Sequence, residues 1–415
     1  MPTAFSLCCH NHSKMESLHM TSGGEGKPMH DDRLEVSIVI PCLNEAEMIA
    51  ACVREARIAI KKSGIPGEVV VADNGSTDNS VELATQAGAR VVAIARKGYG
   101  SALQGGIEAA RGVYVLMGDA DGSYDFGELP KFLDLLRQGN DLVMGCRLPA
   151  GGGKIEKGAM PWKHRWIGNP VLSGLGKLFF RSPVIDFHCG LRAFRREAIL
   201  ALGLKTTGME FASEMVIKAG LQGLTIAQLP ITLRRDGRST PPHLRSFRDG
   251  WRHLRFMLLY SPKWLFIYPG FILFLLGLAG TLVLLPKPLT VGEVTFDLNS
   301  LIVASTTMLA GFQILGFGIF TKAYAVSAGL LPGREYWNRL INGKSVEIGT
   351  IIGLLITIIG LGLLAYAVIG WKTVHFGHLS YQDSLRKVIP AVTCIALGIQ
   401  TAFTGFALAI LGLEK

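Results

Sequence analysis

Gly118-Asp119-Ala-Asp121-Gly122 sets two carboxylates two residues apart. Directly after a β-strand, such a pair can turn its oxygens toward one hard divalent cation, Mg²⁺ or Mn²⁺. That cation would neutralise a nucleotide diphosphate. A ligand-free turn is the plainer reading of the same residues; Asp73, closing an earlier strand-like run, favours the metal. The second chemical feature is arginine: Arg234 to Arg255 holds seven arginines and two aspartates. Leu244, Phe247, Trp251, Leu254 and Leu258 follow a 3-4-3-4 spacing, while Arg245, Arg248, Arg252 and Arg255 keep a 3-4-3 register of their own. This predicts a helix with one apolar and one cationic face ending at Pro262, suited to an anionic membrane interface rather than to nucleic acid.

The acidic turns need strands to hold them. Val36–Ile40 is a β-branched run ending at Pro41, and Glu45–Ser63 has helical periodicity up to Gly64. Glu68–Ala72 is a second strand running into Asp73-Asn-Gly-Ser-Thr-Asp78. Helix is expected over Ser76–Gln86 and Ser101–Ala110, and strand over Arg90–Ile94, Val113–Met117 and from Leu142 to Gly145. Strands alternating with helices predict a parallel α/β sheet with its ligands beyond the carboxyl ends of the strands, where the polar clusters fall. Gly98-Tyr-Gly100 lacks the third glycine of a dinucleotide fingerprint and follows the third strand, so that fold is set aside.

The chain has 415 residues, 18% of them charged, with 42 Lys+Arg against 32 Asp+Glu. Charge is missing altogether from Trp264–Leu285, Leu301–Phe320, Ile348–Ile369 and Val388–Leu413. Each is long enough to cross a hydrocarbon core of about 30 Å as a helix. Outside them the composition is that of a soluble domain, which excludes a purely soluble enzyme and an all-membrane transporter. Residues 1–33 are polar, lack the apolar core of a secretory signal and are expected to form a disordered tail, although Cys8-Cys9-His10-Asn11-His12 offers metal-ligating side chains. Seven cysteines without paired spacing suggest free thiols in a reducing compartment. Basic residues before the first span, and Lys322, Arg334, Arg339 and Lys344 between the second and third, place the soluble domain and the C-terminus in the cytoplasm.

Pro41-Cys-Leu-Asn44-Glu45, Asp73-Asn-Gly-Ser-Thr-Asp78, Gly118-Asp-Ala-Asp121 and Asp186-Phe-His-Cys-Gly-Leu-Arg192 occur in the order found in inverting family 2 glycosyltransferases. With its membrane spans, the chain resembles the polyprenyl-phosphate members, which include dolichyl-phosphate mannose synthase and bacterial prenyl-phosphate glucosyltransferases. The resemblance implies a GT-A-like, Rossmann-type nucleotide-sugar domain over residues 34–241, a basic interfacial helix over 242–262 and a four-helix transmembrane domain over 263–415. It implies that Pro41, Glu45 and Asp73 contact base and ribose, with Asn44, Gly75, Asp78 and Gly98 in the same substrate-binding turns. Asp119 and Asp121 would hold Mg²⁺ or Mn²⁺ and the diphosphate, with Ser123 near a further ligand position. Arg147, Arg165, Arg234 and Arg238 would face phosphates. Asp186 and Glu214 would orient sugar hydroxyls or the acceptor, and each reads equally well as a structural acid.

Leu43, Asn74, Cys189 and Arg238 depart from the mannose-synthase pattern, which favours UDP-glucose narrowly over GDP-mannose as donor. The expected reaction is transfer of one hexose to a polyprenyl phosphate. A prenyl monophosphate is largely anionic at pH 7 and needs no strong base, only alignment and a stabilised leaving group. A processive polysaccharide synthase is disfavoured, because no Gln begins a Gln-x-x-Arg-Trp motif and Trp162-Lys-His-Arg-Trp166 only approximates one. A transporter or inactive scaffold is disfavoured by spans without ionisable side chains. Gly353, Gly360 and Gly362 offer small-residue packing of spans or of a homo-oligomer.

Overall fold

The computed structural model describes residues 34–239, 246–327, 331 and 343–413. The expected tail with its Cys8–His12 cluster, Leu244 and Arg245 of the basic helix, and the loop residues Arg334 and Arg339 lie outside the described residues. The first half alternates as expected: β1 (Val36–Cys42), α1 (Ile49–Ser63), β2 (Gly67–Asp73), α2 (Ser80–Gln86), β3 (Arg90–Ala93), α3 (Tyr99–Ala109) and β4 (Tyr114–Met117). Then come α4 (Leu129–Arg137), β5 (Leu142–Cys146), β6 (Lys154–Ile155), α5 (Asn169–Phe180), β7 (Arg192–Arg195), α6 (Arg196–Ala201), α7 (Phe211–Leu221), β8 (Ile226–Pro230) and β9 (Thr232–Leu233).

Seven strands form one sheet in the order β3-β2-β1-β4-β7-β5-β8. The chain winds outward from β1 to β3 and returns on the other side as β4. The order therefore reverses between β1 and β4, which is where an open α/β sheet leaves a crevice at its carboxyl edge. The expectation of a fully parallel sheet is corrected: β7 runs antiparallel to both β4 and β5. Its first residue, Arg192, pairs with Met117 and Met144 near the carboxyl ends of those strands. The excursion after β5 thus leaves and re-enters at one edge of the sheet, and a strand entering there has to run backward.

The sheet is covered on both faces. Ile49, Val53 and Ala56 of α1 and Phe132 and Leu136 of α4 pack with Ile38, Ile40 and Val71 on one face. On the other, Leu103 and Ile107 of α3 and Phe211 and Met215 of α7 pack with Val39, Val115 and Met144. Phe256 and Met257 of α8 (Ser246–Leu259) belong to this second layer. The basic helix is thereby docked on the α/β domain through a third face, made of Asp249, His253, Phe256 and Met257, which are all buried. Phe247 and Trp251 remain outward, as do Arg248, Arg252 and Arg255.

Beyond α8, a π-helical turn at Lys263–Ile267 leads into α9 (Tyr268–Leu284). A hairpin of β10 (Leu289–Val291) and β11 (Val294–Phe296) connects it to α10 (Leu298–Ser327). Further along, the described residues include α11 (Gly343–Thr373) and α12 (Tyr381–Leu413). Four segments, Lys263–Leu284, Leu298–Ser327, Glu347–Thr373 and Tyr381–Leu411, are long and apolar enough to span a membrane. Little hydrophobic drive separates helix from lipid there, so close backbone approach must hold the helices together. A Cβ added at Gly277 of α9 would lie 2.2 Å from the Met308 amide nitrogen, and one at Gly353 of α11 would lie 2.6 Å from that of Ala402. Gly353 and Gly360 are thus occupied in packing α11 on α12, and Gly362 faces open space. At the far end, the Arg386 guanidinium of α12 donates to the Leu285 carbonyl at the end of α9 and pairs with Asp297.

Overpacking a close helix contact costs about 1–3 kcal/mol. Gly277→Leu is expected to lower the thermal unfolding midpoint of the detergent-solubilised protein by several degrees, and Gly362→Leu to leave it unchanged. Equal midpoints for the two would refute the packing assignment.

Candidate functional site

The loops after β1 and β2 are tied together before they meet any ligand. Pro41 and Cys42, the last residues of β1, sit opposite Ala72 and Asp73 of β2. Asp73 accepts from the amides of Gly75 and Ser76 at 3.0 and 3.1 Å, which turns the chain sharply away from the strand. Asn44, with φ +57°, accepts from the Thr77 amide at 2.8 Å, and Asp78 accepts from the Ala46 amide at 3.2 Å. Asn74 spans Ile94 and Arg96, donating to both carbonyls and accepting from the Gly98 amide at 2.7 Å. An aspartate there could not donate to those two carbonyls. Gly98 has φ +125°, and a Cβ on it would lie 2.2 Å from the Thr207 carbonyl oxygen. It serves as a close contact between loops.

Across the crevice, Asp119 and Asp121 follow β4. The Asp119 carboxylate accepts from the Tyr99 hydroxyl at 2.8 Å, and Asp121 accepts from the Ser123 amide at 2.9 Å. The 234–239 segment is laid over this turn: the Arg234 amide donates to the Ser123 carbonyl and the Gly237 amide to the Asp121 carbonyl, both at 2.9 Å. Arg238 is thereby brought into the acidic crevice, 2.8 Å from Glu45, 2.6 Å from Asp236 and 3.5 Å from Asp121. Burial pushes the Asp119 carboxyl up to about 6, aided by the neighbouring Asp121 charge. Burial likewise raises Glu45 to about 7 against the pull of Arg238. For Arg238 itself burial opposes the charge. The Asp236 hydrogen bond and the charges of Glu45 and Asp121 outweigh it, so the guanidinium stays protonated.

Among the described residues, no group of three or more His, Cys, Asp or Glu side chains is arranged to hold a metal by itself. Two carboxylates after β4 suit a hard cation that completes its shell with the oxygens of a bound diphosphate and with water.

Several expected site residues have structural partners instead. Arg147 is held inside the domain: its Nε and Nη2 each lie 2.8 Å from the fully buried Asp186, whose carboxylate also accepts from the Arg147 amide at 3.0 Å. Burial would raise the Asp186 carboxyl, but Arg147 more than offsets it and holds the group ionised. Glu214 lies outside the crevice. It accepts from the Lys205 and Thr206 amides and pairs with Lys218 at 2.8 Å, which keeps it below the usual range despite its burial. Arg234 is paired with Glu55 at 3.0 Å and with Asp125. Arg165 lies in a π-helical turn at His164–Gly168, its guanidinium 5.4 Å from the Trp166 ring.

Sequence reasoning missed Tyr99, Tyr124, Glu55, Asp125 and Asp236, which position the carboxylates and arginines. Asp236 was legible within Arg234-Arg-Asp-Gly-Arg238; Tyr99 stood inside the glycine pattern that was set aside. Arg192 closes the Asp186–Arg192 motif by donating to the carbonyls of Cys189, Ala212 and Phe187 at 2.7, 2.7 and 2.9 Å. It folds the loop so that Gly190, where a Cβ would lie 2.6 Å from an Asp119 oxygen, can press against the acidic turn. From the other side of this loop, the Ser213 hydroxyl bridges His188 (3.2 Å) and His253 of α8 (2.8 Å). Burial lowers both imidazoles, His253 to about 4, so the bridge is uncharged at neutral pH.

An acidic turn at the switch point of a mixed α/β sheet, continued by membrane helices, defines a membrane-bound GT-A-like protein. Residues 37–203 match the Glycosyl transferase family 2 profile, and residues 319–412 match the Glycosyltransferase family 2 C-terminal transmembrane region. The low-salt glycan biosynthesis hexosyltransferase of Haloferax volcanii is 40% identical over 384 residues, covering 91% of this chain and 89% of its own. A dolichyl-phosphate hexose transferase of the same organism is 33% identical over 48% of this chain and 83% of its own. A solved glucosyl-3-phosphoglycerate synthase from Mycobacterium tuberculosis aligns over 58% of this chain and 86% of its own, at TM-score 0.43 and 23% identity. The chain belongs to glycosyltransferase family 2.

Removing one partner of a buried ion pair typically costs about 3–5 kcal/mol, whereas replacing both by apolar residues costs far less. Asp186→Asn is therefore expected to destabilise the protein more than the double change Arg147→Met with Asp186→Leu. Thermal unfolding of the three proteins checks the order, and a double variant weaker than the single would overturn it.

Proposed function

We propose that the protein transfers one hexose, with inversion, from a nucleotide sugar to a polyprenyl phosphate at the cytoplasmic face of a membrane. The observation that carries this reading is the crevice between β1 and β4, where Glu45, Asp119, Asp121 and Arg238 converge in a domain docked on an amphipathic helix and followed by spans. The named activities of the hexosyltransferase and dolichyl-phosphate hexose transferase relatives support it. UDP-glucose is the preferred donor.

In this reading Pro41, Glu45 and Asp73 hold base and ribose, with Asn44, Gly75, Asp78 and Gly98 shaping the loops around them. Asp119 and Asp121 hold Mg²⁺ or Mn²⁺, which supplies positive charge against the diphosphate. Ser123 orients Asp121 through its amide, and Tyr99 orients Asp119. The acceptor's phosphate oxygen forms a bond to the anomeric carbon while the bond to the nucleoside diphosphate breaks. Because the acceptor is already ionised, no proton has to be removed in that step, and the work is alignment and charge stabilisation. Arg238 is the cation set to meet the charge on the diphosphate. Arg234 can receive the acceptor phosphate in exchange for Glu55 or Asp125. Arg147 and Asp186 support the site from behind.

The reaction is tested by incubating membranes that contain the protein with labelled UDP-glucose or GDP-mannose, polyprenyl phosphate and Mg²⁺ or Mn²⁺, beside Asp121→Ala. Label from UDP-glucose should enter organic-extractable lipid, require the cation and fall at least about a hundredfold in the variant, as expected when charge stabilisation is removed. Label appearing in polymer instead would refute single-sugar transfer.

Asp119 provides a pH signature. Its folded pKa of about 6 lies above the ordinary 3.8, so the metal-free fold favours the protonated form and loses stability as pH rises across that interval. Metal binding needs the ionised form. Mn²⁺ affinity measured in the presence of UDP should therefore tighten as pH rises through about 6. A flat affinity across the interval would exclude Asp119 as a ligand.

A further inference from the structure

Two histidines and a serine meet where three elements join, and the reaction proposed above uses none of them. His188 lies within the Asp186–Arg192 loop, Ser213 in the first turn of α7 and His253 in the middle of α8. The Ser213 hydroxyl is 3.2 Å from His188 Nε2 and 2.8 Å from His253 Nδ1, and the two rings meet edge to face, 4.5 Å between centroids. Ser213 and His253 are both buried. We propose that this bridge is a positioning device: through Ser213 and His188, His253 of α8 holds Gly190 against Asp119.

The contacts fix the direction of the hydrogen bonds. A neutral imidazole carries one N–H and one lone pair. The buried His188 Nδ1 has no partner, and a buried N–H without an acceptor is rare, so the His188 proton belongs on Nε2. His188 then donates to the Ser213 oxygen, and the Ser213 hydroxyl donates its own proton to His253 Nδ1. Both rings stay neutral at ordinary pH, because burial holds them below the usual range despite the nearby charges of Asp186 and Asp249. Packing alone would be served by an apolar side chain at 253, as it is by Phe256 and Met257 on the same face. A satisfied polar trio fixes distance and orientation as well.

The path from His188 to the acidic turn is short. Arg192 holds the Phe187 and Cys189 carbonyls on either side of His188, so a displacement of that ring carries the loop with it. Within the loop, the Gly190 amide donates to the Tyr124 hydroxyl at 2.8 Å, and Gly190 is pressed on the Asp119 carboxylate. The Tyr99 hydroxyl holds that carboxylate from another side. At the opposite end, α8 closes at Leu259 and the first span opens at Lys263. The bridge therefore ties the acidic turn to the helix that leads into the spans. It has this role only if Asp119 holds the cation, as proposed above.

Two measurements on the full-length, detergent-solubilised protein test the bridge, with His253→Leu, Ser213→Ala and His253→Asn. The first is hydrogen exchange at the amides of residues 187–191 without added metal. Exchange there should rise severalfold in His253→Leu and Ser213→Ala. It should stay near that of the unsubstituted protein in His253→Asn, whose Oδ1 stands where Nδ1 stood and accepts from Ser213. The second is Mn²⁺ affinity in the presence of UDP. It should weaken about 10–100-fold in the first two variants, the usual cost of removing support from a metal-ligating group, and be restored in His253→Asn. Unchanged exchange would overturn the bridge, and faster exchange with unchanged Mn²⁺ affinity would overturn its link to Asp119. His253→Asn behaving like His253→Leu would do the same. A protein that shows both effects but transfers no hexose would refute the reaction and uphold the bridge.

Discussion

Crowded negative charge at the carboxyl ends of β1 and β4 is the constraint around which this protein is arranged. Glu45, Asp119 and Asp121 converge on a crevice that is only partly open to water, and like charges in such a place repel and lose hydration together. The fold answers with guanidinium groups, of which Arg238 touches the carboxylates directly. Arg238 is carried in by a segment that has to be pinned at Ser123 and Asp121 through its backbone, so the chain beyond β9 becomes a wall of the site. The raised carboxyls of Asp119 and Glu45 show that this compensation is incomplete.

A second layer of electrostatics lies behind the first and is closed. Arg147 and Asp186 satisfy one another, and Arg192 spends its donors on three carbonyls. These groups shape the loop that leans on Asp119 without offering themselves to solvent. Charged residues near the crevice thus fall into two kinds. Those with an exposed edge can exchange partners with a ligand; those sealed by each other set the geometry. Residue type alone does not separate them.

The strand ends were legible because β-branched runs stop at polar clusters: Val36–Ile40 before Asn44-Glu45, Glu68–Ala72 before Asp73, Val113–Met117 before Asp119. The four apolar spans were legible from the absence of charge. β7 was not, since Arg192-Ala-Phe-Arg195 has neither β-branching nor alternation, and its direction follows from where the chain re-enters the sheet. The pairing of Arg147 with Asp186 joins residues 39 positions apart and leaves no local trace. In α8 the apolar and cationic periodicities mark two faces and leave the third unmarked. That third face carries Asp249, paired with Arg248 and Arg252, and His253, which is buried against Ser213 and His188.

The antiparallel placement of β7 has a consequence for how such a protein can diversify. Everything from Arg147 to Leu191 leaves the sheet beside β5 and returns beside it, and the Gly145 amide donates to the Leu191 carbonyl at 2.9 Å across the neck. A segment anchored at a neck of that kind can lengthen, shorten or be exchanged without changing the register of β1, β2 and β4. The part of the crevice built on those three strands and the part built on the excursion meet where Gly190 touches Asp119, so a change in one reaches the other through that contact.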